Sequence, residues 1–306
     1  MTDVPPIRPA TAARVLAEAM PYLREYHGKV LVVRFGGRAM ADPALMTAFA
    51  RDVALLRLVG MKLVVVHGGG WRVDELMRRM GLAPRREAGY RVTDAETLNV
   101  VEMALDELNQ ELTGLVNRHG GRAIGINGQD GRFIRARPMH PPGGADLGFV
   151  GDVAGIDVEL VNLLLSREFV PVVMPIGVGD DGTAYHINSD LLAGRIARAL
   201  GAEKLVLMTN VQGIAGLDGK LAYILRAGEA AALLRDGRID AEMVPRVEAA
   251  LDAVGEGVRS VHIIDGGVRN ALLLEVLTAD GVGTAIRSDA GPRFLEDSRA
   301  YLLAPG

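Results

Sequence analysis

The residues of this chain that could do chemistry gather around two glycine-rich turns. The first ends the run Val30-Leu31-Val32-Val33-Arg34-Phe35-Gly36-Gly37, and the second ends Leu63-Val64-Val65-Val66-His67-Gly68-Gly69-Gly70. Each reads as a buried parallel strand that stops at glycine and opens a helix. Glycine lets backbone approach a ligand closely, and a helix N-terminus offers unpaired N–H groups to an anion. One such turn is as often only a tight turn, but two in register suggest a site for more than one anionic group. Arg91, in Gly89-Tyr90-Arg91-Val92-Thr93-Asp94, follows the second turn and precedes a helix. Its guanidinium either clamps a carboxylate bidentately or faces solvent from a loop. Asp190, in His186-Ile187-Asn188-Ser189-Asp190, stands in the first turn of a helix. It either favours the helix dipole or organises cations at a site. Arg246, on a later helix, reads as solvated surface when taken alone. Thr209-Asn210, at a strand end, is where an open sheet meets a nucleotide, and is equally an ordinary turn start.

The elements that must position these residues alternate. Apolar periodicity predicts helices over Thr11–Tyr26, Asp42–Leu58, Val73–Met80, Ala95–Arg118, Leu160–Ser166, Ser189–Leu200, Met243–Val254 and Ala271–Thr278. Strands are predicted up to Val33 and Val66, and over 123–126, Val170–Ile176, Lys204–Met208 and Ser260–Ile264. Phe133–Asp152, with Pro138, Pro141, Pro142, Gly143 and Gly144, reads as loop or hairpin. The pattern predicts an α/β fold: an open, mostly parallel sheet sandwiched by helices, with ligands beyond the carboxyl ends of its strands.

Composition narrows the function classes. The 306 residues are 49% hydrophobic and 4% aromatic, giving an aliphatic core. A net charge of −4 argues against nucleic acid as the main partner. Cysteine is absent, which excludes disulfides and thiolate chemistry, and the six histidines show no metal-ligand spacing, so no metal site of the protein's own is expected. The proline-rich start lacks an apolar core segment, and no apolar run is long enough to span a bilayer. A cytoplasmic protein without membrane contact is expected.

Taken in order, the segments VVRFGGRAM, VVVHGGG, GYRVTDAET, INGQDG, DLGFVGDV, GVGDDGTAYHINSD, LVLMTNVQGI, MVPRVEAALDA and GVGTAI resemble the amino acid kinase family over residues 11–287. The similarity points to the branch that phosphorylates N-acetyl-L-glutamate in arginine biosynthesis. It implies a two-lobed enzyme that moves the γ-phosphoryl of ATP, carried with Mg²⁺, onto the acceptor's side-chain carboxylate. The implied organisation is an N-terminal arm and oligomerisation helix (1–26), an acyl-amino-acid lobe (27–178) and a nucleotide lobe (179–306). By matching position, Gly36 and Gly37 would approach the phosphates, with Thr209, Asn210, Glu242 and Met243 nearby. Gly68 and Gly69 would hold the reacting carboxylate, and Arg91 the α-carboxylate, beside His186 and Asn188. Asp190 would organise the cations around the phosphoryl group in transit.

The chain departs from the family pattern at several of these positions. Arg34 and Arg246 stand where the family has lysine, and the exchange changes shape as well as charge density. Asn210 replaces an aspartate, Glu242 a glycine and His186 an asparagine, while Trp71 is bulkier than usual at its position. Two readings therefore stay open here: an active kinase, or a degenerate homologue that binds arginine or another ligand and regulates a partner. Resemblance to the arginine-regulated branch further implies a homo-oligomer, either a hexamer built as a trimer of dimers or a dimer. The apolar stripe Val15, Leu16, Ala19 and Leu23 would mediate it, and an arginine site would lie at His262, Glu275 and Gly283.

Overall fold

The computed structural model describes residues 8–87, 89–141, 143–279 and 281–289. The first seven residues of the expected arm, the end of the expected 179–306 lobe and Pro142 lie outside the described residues. Helix α1 (Pro9–Tyr26) leads into strand β1 (Val30–Phe35). Then come α2 (Arg38–Ala41), α3 (Pro43–Leu58), β2 (Lys62–His67) and α4 (Gly70–Arg79). A short hairpin, β3 (Arg86–Glu87) and β4 (Tyr90–Arg91), precedes α5 (Ala95–Arg118) and β5 (Ala123–Asn127). Next are β6 (Ile134–Pro138), β7 (Val150–Ile156), α6 (Glu159–Ser166), β8 (Val170–Met174), β9 (Ile176–Val178) and β10 (Ala184–Ile187). The chain continues through α7 (Ser189–Ala199), β11 (Lys204–Thr209), β12 (Ile224–Arg226), α8 (Ala227–Arg235) and α9 (Val244–Gly255). It closes with β13 (Ser260–Asp265), α10 (Ala271–Leu277) and β14 (Thr284–Arg287).

One eight-stranded sheet, ordered β12-β14-β13-β11-β1-β2-β8-β5, forms the centre. Its strands are parallel from β13 to β5, and β14 runs antiparallel to β13. Neighbouring residues of one strand serve opposite faces. Val32, Val64, Val66, Leu205 and Leu207 pack against Leu192 and Ile196 of α7 and Val247 of α9. Leu31, Val33, Val65 and Val206 pack against Phe49 and Val53 of α3, Leu108 and Leu112 of α5 and Leu272 of α10. Covered faces on both sides explain why the strands read as unbroken aliphatic runs. Helix starts are fixed locally. The Asp42 carboxylate accepts from Ala44 N and Leu45 N at α3, and Asp94 accepts from Thr97 N at α5.

The structure refines several expectations. The segment 133–152 is a hairpin in which β6 pairs antiparallel with β7, and β6, β7, β9 and β10 close on one another. The strand expected over Val170–Ile176 is two strands that part at Pro175, which has no N–H to give a ladder. The elements α2, β3, β4, β10, β12 and α8 carry too little periodicity to stand out in the sequence.

A buried polar chain holds the second glycine turn against the core. His67 Nδ1 donates to the Gly68 carbonyl at 2.7 Å, and His67 Nε2 accepts from Asn109 Nδ2 at 3.2 Å. Asn109 Nδ2 also donates to the Val172 carbonyl at 2.8 Å, tying α5 to β8. Gly125 makes room for this amide, because a Cβ there would sit 1.9 Å from Asn109 Oδ1. Burial, opposed by the Gly68 hydrogen bond and helped by the charge of Arg34, lowers the His67 pKa to about 4. The imidazole is therefore neutral in the folded protein. On acidification from pH 6.5 to about 4 the unfolded chain binds a proton that the folded His67 refuses, so this contribution to stability should be lost over that interval. Asp52 acts with the opposite sign. Burial raises it from 3.8 to about 6, so its contribution falls as pH rises through that range. Urea midpoints measured from pH 4 to pH 7 should show a shallower acid slope in His67→Asn than in the unaltered protein. Parallel slopes would refute the assignment to His67.

Candidate active site

Strands β13, β11, β1 and β2 lie side by side and parallel, so their carboxyl ends open onto one edge of the sheet. Both glycine turns and Thr209-Asn210 meet there. Gly68 N donates to the Phe35 carbonyl at 2.7 Å, which joins one turn to the other. Between them lies Arg34, on β1 and almost wholly buried. Its Nη1 donates to the Met208 carbonyl at 3.1 Å, and its Nε donates to Ser189 Oγ at 3.1 Å. Asp190 Oδ1 lies 2.9 Å from the same Nε. The single Nε hydrogen is aimed at Ser189, so Asp190 holds Arg34 mainly by charge. Nη2 has no partner among the described residues. A Cβ at Gly36 would come 2.8 Å from Arg34 Nη1, and one at Gly68 would come 3.3 Å from Nη2. The two glycines are thus the space that the guanidinium occupies.

Asp190 stands in the first turn of α7, which is capped by the Asn188 side-chain oxygen, accepting from Asp190 N at 2.8 Å and Leu191 N at 3.2 Å. Arg246, near the start of α9, brings its Nε to 3.9 Å from Asp190 Oδ2, while its Nη1 donates to the Glu242 carbonyl at 2.6 Å. Arg34 and Arg246 therefore flank one carboxylate, although Arg246 taken alone reads as solvated surface. Glu242 itself is exposed, and Met243 is buried in the core with its Sδ 3.9 Å from Arg246 Nη1. The Thr209 hydroxyl accepts from Val211 N at 3.1 Å and lies 3.2 Å from the Ile264 carbonyl, so it ties strand ends together. Asn210 Oδ1 accepts from Arg38 N at 2.9 Å. Only the side-chain oxygen is used, which an amide supplies as well as a carboxylate. Gly37, with φ of 71°, must be glycine for its conformation and because a Cβ would sit 2.5 Å from Asn210 Oδ1.

A cavity opens beside the second turn, lined among others by Arg34, Gly68, Gly69, Arg91, His186 and Asn188. Arg91 is buried in its wall. Its Nη2 donates to the Gly70 carbonyl at 3.1 Å, and its Nη1 lies 3.3 Å from Met77 Sδ and 2.6 Å from Asp74 Oδ1. The solvent-facing reading of Arg91 is thereby excluded. Burial, together with the charge of Arg91, lowers His186 to about 4, so a neutral imidazole lines the cavity. Sequence reasoning missed Ser189, Asp74 and His67. The spacing of Asp74, four residues after Gly70 on one helix face, was the available signal.

The residues expected to form an arginine site line a second cavity, with Tyr223, Gly281 and Arg287. His262 Nδ1 donates to Glu275 Oε1 at 2.5 Å, and Glu275 Oε2 accepts from Val282 N at 2.7 Å. Burial works to raise Glu275, but the hydrogen bond and charge of His262, the Val282 N–H and Lys204 outweigh it, and the carboxyl stays below its ordinary value. A Cβ at Gly283 would come 2.1 Å from the Ile263 carbonyl, so close packing on β13 already requires that glycine.

No helix among the described residues is long and apolar enough to cross a membrane. Comparison with known proteins places this architecture. An acetylglutamate kinase of Chromobacterium violaceum is 53% identical over 284 residues, covering 91% of this chain and 98% of that protein. One from Nitrosospira multiformis is 49% identical over 283 residues, covering 90% and 97%. Among solved structures, N-acetylglutamate synthase from Neisseria gonorrhoeae, complexed with coenzyme A and N-acetyl-glutamate, superposes with a TM-score of 0.83 at 28% identity. The match spans 91% of this chain and 64% of the synthase chain. Carbamate kinase from Giardia lamblia bound to AMP-PNP, at 17% identity and a TM-score of 0.62, shares the fold over 86% of this chain and 99% of its own. The profile of the amino acid kinase family matches residues 29–265, and the chain belongs to that family.

Proposed function

We propose that this protein is a phosphotransferase that moves the γ-phosphoryl of ATP to the side-chain carboxylate of N-acetyl-L-glutamate, a step of arginine biosynthesis carried out in the cytoplasm. The observation that carries the reading is the Arg34–Asp190–Arg246 cluster, assembled at the meeting of both glycine turns and beside a cavity with a buried arginine. The assembled cluster favours the active enzyme over a degenerate homologue. Residues 27–178 form the acceptor lobe and 179–306 the nucleotide lobe.

The acceptor carboxylate is ionised at neutral pH and needs no general base. One of its oxygens forms the new P–O bond while the bond from the γ-phosphorus to the bridging oxygen breaks, and ADP leaves with that electron pair. The task of the protein is to position the reactants and offset charge. Gly68 and Gly69 hold the reacting carboxylate, and Arg91 holds the α-carboxylate next to His186 and Asn188. Gly36 and Gly37 let backbone approach the phosphates, with Thr209, Asn210, Glu242 and Met243 on the nucleotide side. Arg34 Nη2 and Arg246 offset the charge of the phosphoryl group in transit, and Asp190 keeps both guanidiniums in place. The described residues hold no cluster of three or more His, Cys, Asp or Glu side chains. A Mg²⁺ ion carried in on the nucleotide would be held mainly by its phosphates and water, and would neutralise phosphate charge there.

ADP release that depends on N-acetyl-L-glutamate, with the acyl phosphate trapped as a hydroxamate, is the expected result. ATP turnover indifferent to the acceptor would refute the assignment. Arg246→Ala should lower kcat by roughly a hundredfold with little change in acceptor KM, because its charge is needed most in the transition state. An unchanged kcat would remove Arg246 from the mechanism.

The second cavity is proposed to bind L-arginine, with the Glu275 carboxylate accepting from the ligand's guanidinium. Inhibition of the full chain by L-arginine should then be lost in Glu275→Gln, with kcat at zero arginine kept. Inhibition that survives the substitution would place the effector elsewhere.

Helix α1 is proposed to assemble the chain into a hexamer of three dimers. Tyr22 and Tyr26 anchor its C-terminal half, whereas Val15, Leu16 and Met20 are 55%, 66% and 46% exposed. Val15 and Leu16 of the expected stripe thus stay uncovered by their own subunit, whereas Leu23 packs on its core. Light scattering should give the mass of roughly six chains for the full protein and of roughly two for Leu16→Glu, as α1 is the expected link between dimers. A dimer in both would rule out the ring.

A further inference from the structure

Asp74, which no sequence motif singled out, joins both strands of the hairpin that walls the acceptor cavity. Arg86 on β3 and Arg91 on β4 are direct cross-strand partners. Two like charges directly opposite one another destabilise a hairpin of this kind. Asp74, on α4, stands against both: its Oδ1 is 2.6 Å from Arg91 Nη1, and its Oδ2 accepts from Arg86 Nη2 at 2.9 Å. The side chain of Arg91 is 4% exposed and that of Asp74 20%, so little water screens the pair. Arg86 and Arg91 both line the cavity.

The arrangement has a counterpart at the other end of the same turn. Arg34 lies against Gly68 and is paired with Asp190, which also faces Arg246. Arg91 lies against Gly70 and is paired with Asp74, which also binds Arg86. Each set has two guanidiniums and one carboxylate, so each end of the turn keeps one net positive charge, formally 2 − 1. A dicarboxylate lying along Gly68–Gly70 would meet one net charge at each end.

We infer that Asp74 is a positioning residue for the acceptor: it holds the Nη1 side of Arg91 and leaves Nε and the remaining Nη2 hydrogen for the acceptor's α-carboxylate. Arg91 Nε has no partner among the described residues, as this requires. Nε and Nη2 together form one of the bidentate edges of a guanidinium, which matches the two oxygens of a carboxylate. The inference rests on the proposed acceptor role of the cavity. It adds that orientation of Arg91, beyond its presence, sets acceptor affinity, and that the orienting group is a side chain that never touches substrate.

The test is steady-state kinetics of the full-length enzyme, with N-acetyl-L-glutamate and ATP varied separately. Asp74→Asn should raise the acceptor KM about tenfold or more, the scale of one charge-assisted hydrogen bond, with kcat within about threefold and the ATP KM unchanged. A general loss of structure would move all three parameters together. An acceptor KM that is unchanged or lowered in Asp74→Asn, while Arg91→Ala raises it, would overturn the inference and leave the acceptor reading standing. An acceptor KM unmoved by Arg91→Ala would remove the acceptor reading and the inference with it. Should Asp74→Asn fail to fold, Asp74→Glu keeps the charge but lengthens the arm, and the same rise in KM at constant kcat is expected. Unchanged constants in Asp74→Glu would then count against the positioning role.

Discussion

The buried pair of Arg34 and Asp190 is the constraint around which the site is arranged. An ion taken into the middle of a sheet costs several kcal/mol unless partners replace its water. Arg34 finds those partners on two further elements: the Met208 carbonyl at the end of β11, and Ser189 with Asp190 at the start of α7. Meeting them requires α7 to begin over the carboxyl ends of β1 and β11. A guanidinium is also wide. Gly36 and Gly68 leave it room, because a side chain at Gly36 would come within 2.8 Å of it. Both turns are thus bare backbone partly because a cation lies beneath them.

Rigidity of the second turn comes from below and from the side. His67 and Asn109 hold the Gly68 carbonyl from within the core, and Arg91 holds the Gly70 carbonyl from the cavity wall. Gly69, between them, has no space for a side chain, since a Cβ would meet Leu105 and Leu108 at 2.7 Å. Packing from α5 thereby fixes the backbone that is proposed to hold the acceptor's reacting carboxylate. A neutral His67 suits this place, because a second cation beside buried Arg34 would repel it.

Much of this was legible in the residues. Aliphatic runs marked β1, β2, β8, β11 and β13, because strands covered on both faces have no polar side to confuse the pattern. The helix starts at Asp42 and after Asp94 were legible too, and local side-chain oxygens fix them. The two glycine turns marked the edge of the sheet where ligands belong. The hairpin β3–β4 and strand β10 stayed hidden: they are two and four residues long and depend on contacts distant in sequence. Arg246 was illegible on its own, since nothing along α9 says that its neighbour is Asp190, 56 positions earlier in the chain.

By itself, the sequence determined the alternating α/β plan, the parallel sheet and the chemical types at each candidate position, because periodicity, capping and glycine conformations are local properties. Tertiary structure alone decided which charges pair. It set Asp190 between Arg34 and Arg246, and Asp74 between Arg86 and Arg91, and it buried Arg91 instead of leaving it in a solvated loop. It also packed Gly283 against the Ile263 carbonyl of β13 and left Val15, Leu16 and Met20 of α1 uncovered. Pairing energies and burial depend on distances between elements, and those distances are fixed only when the sheet and its helices close on one another.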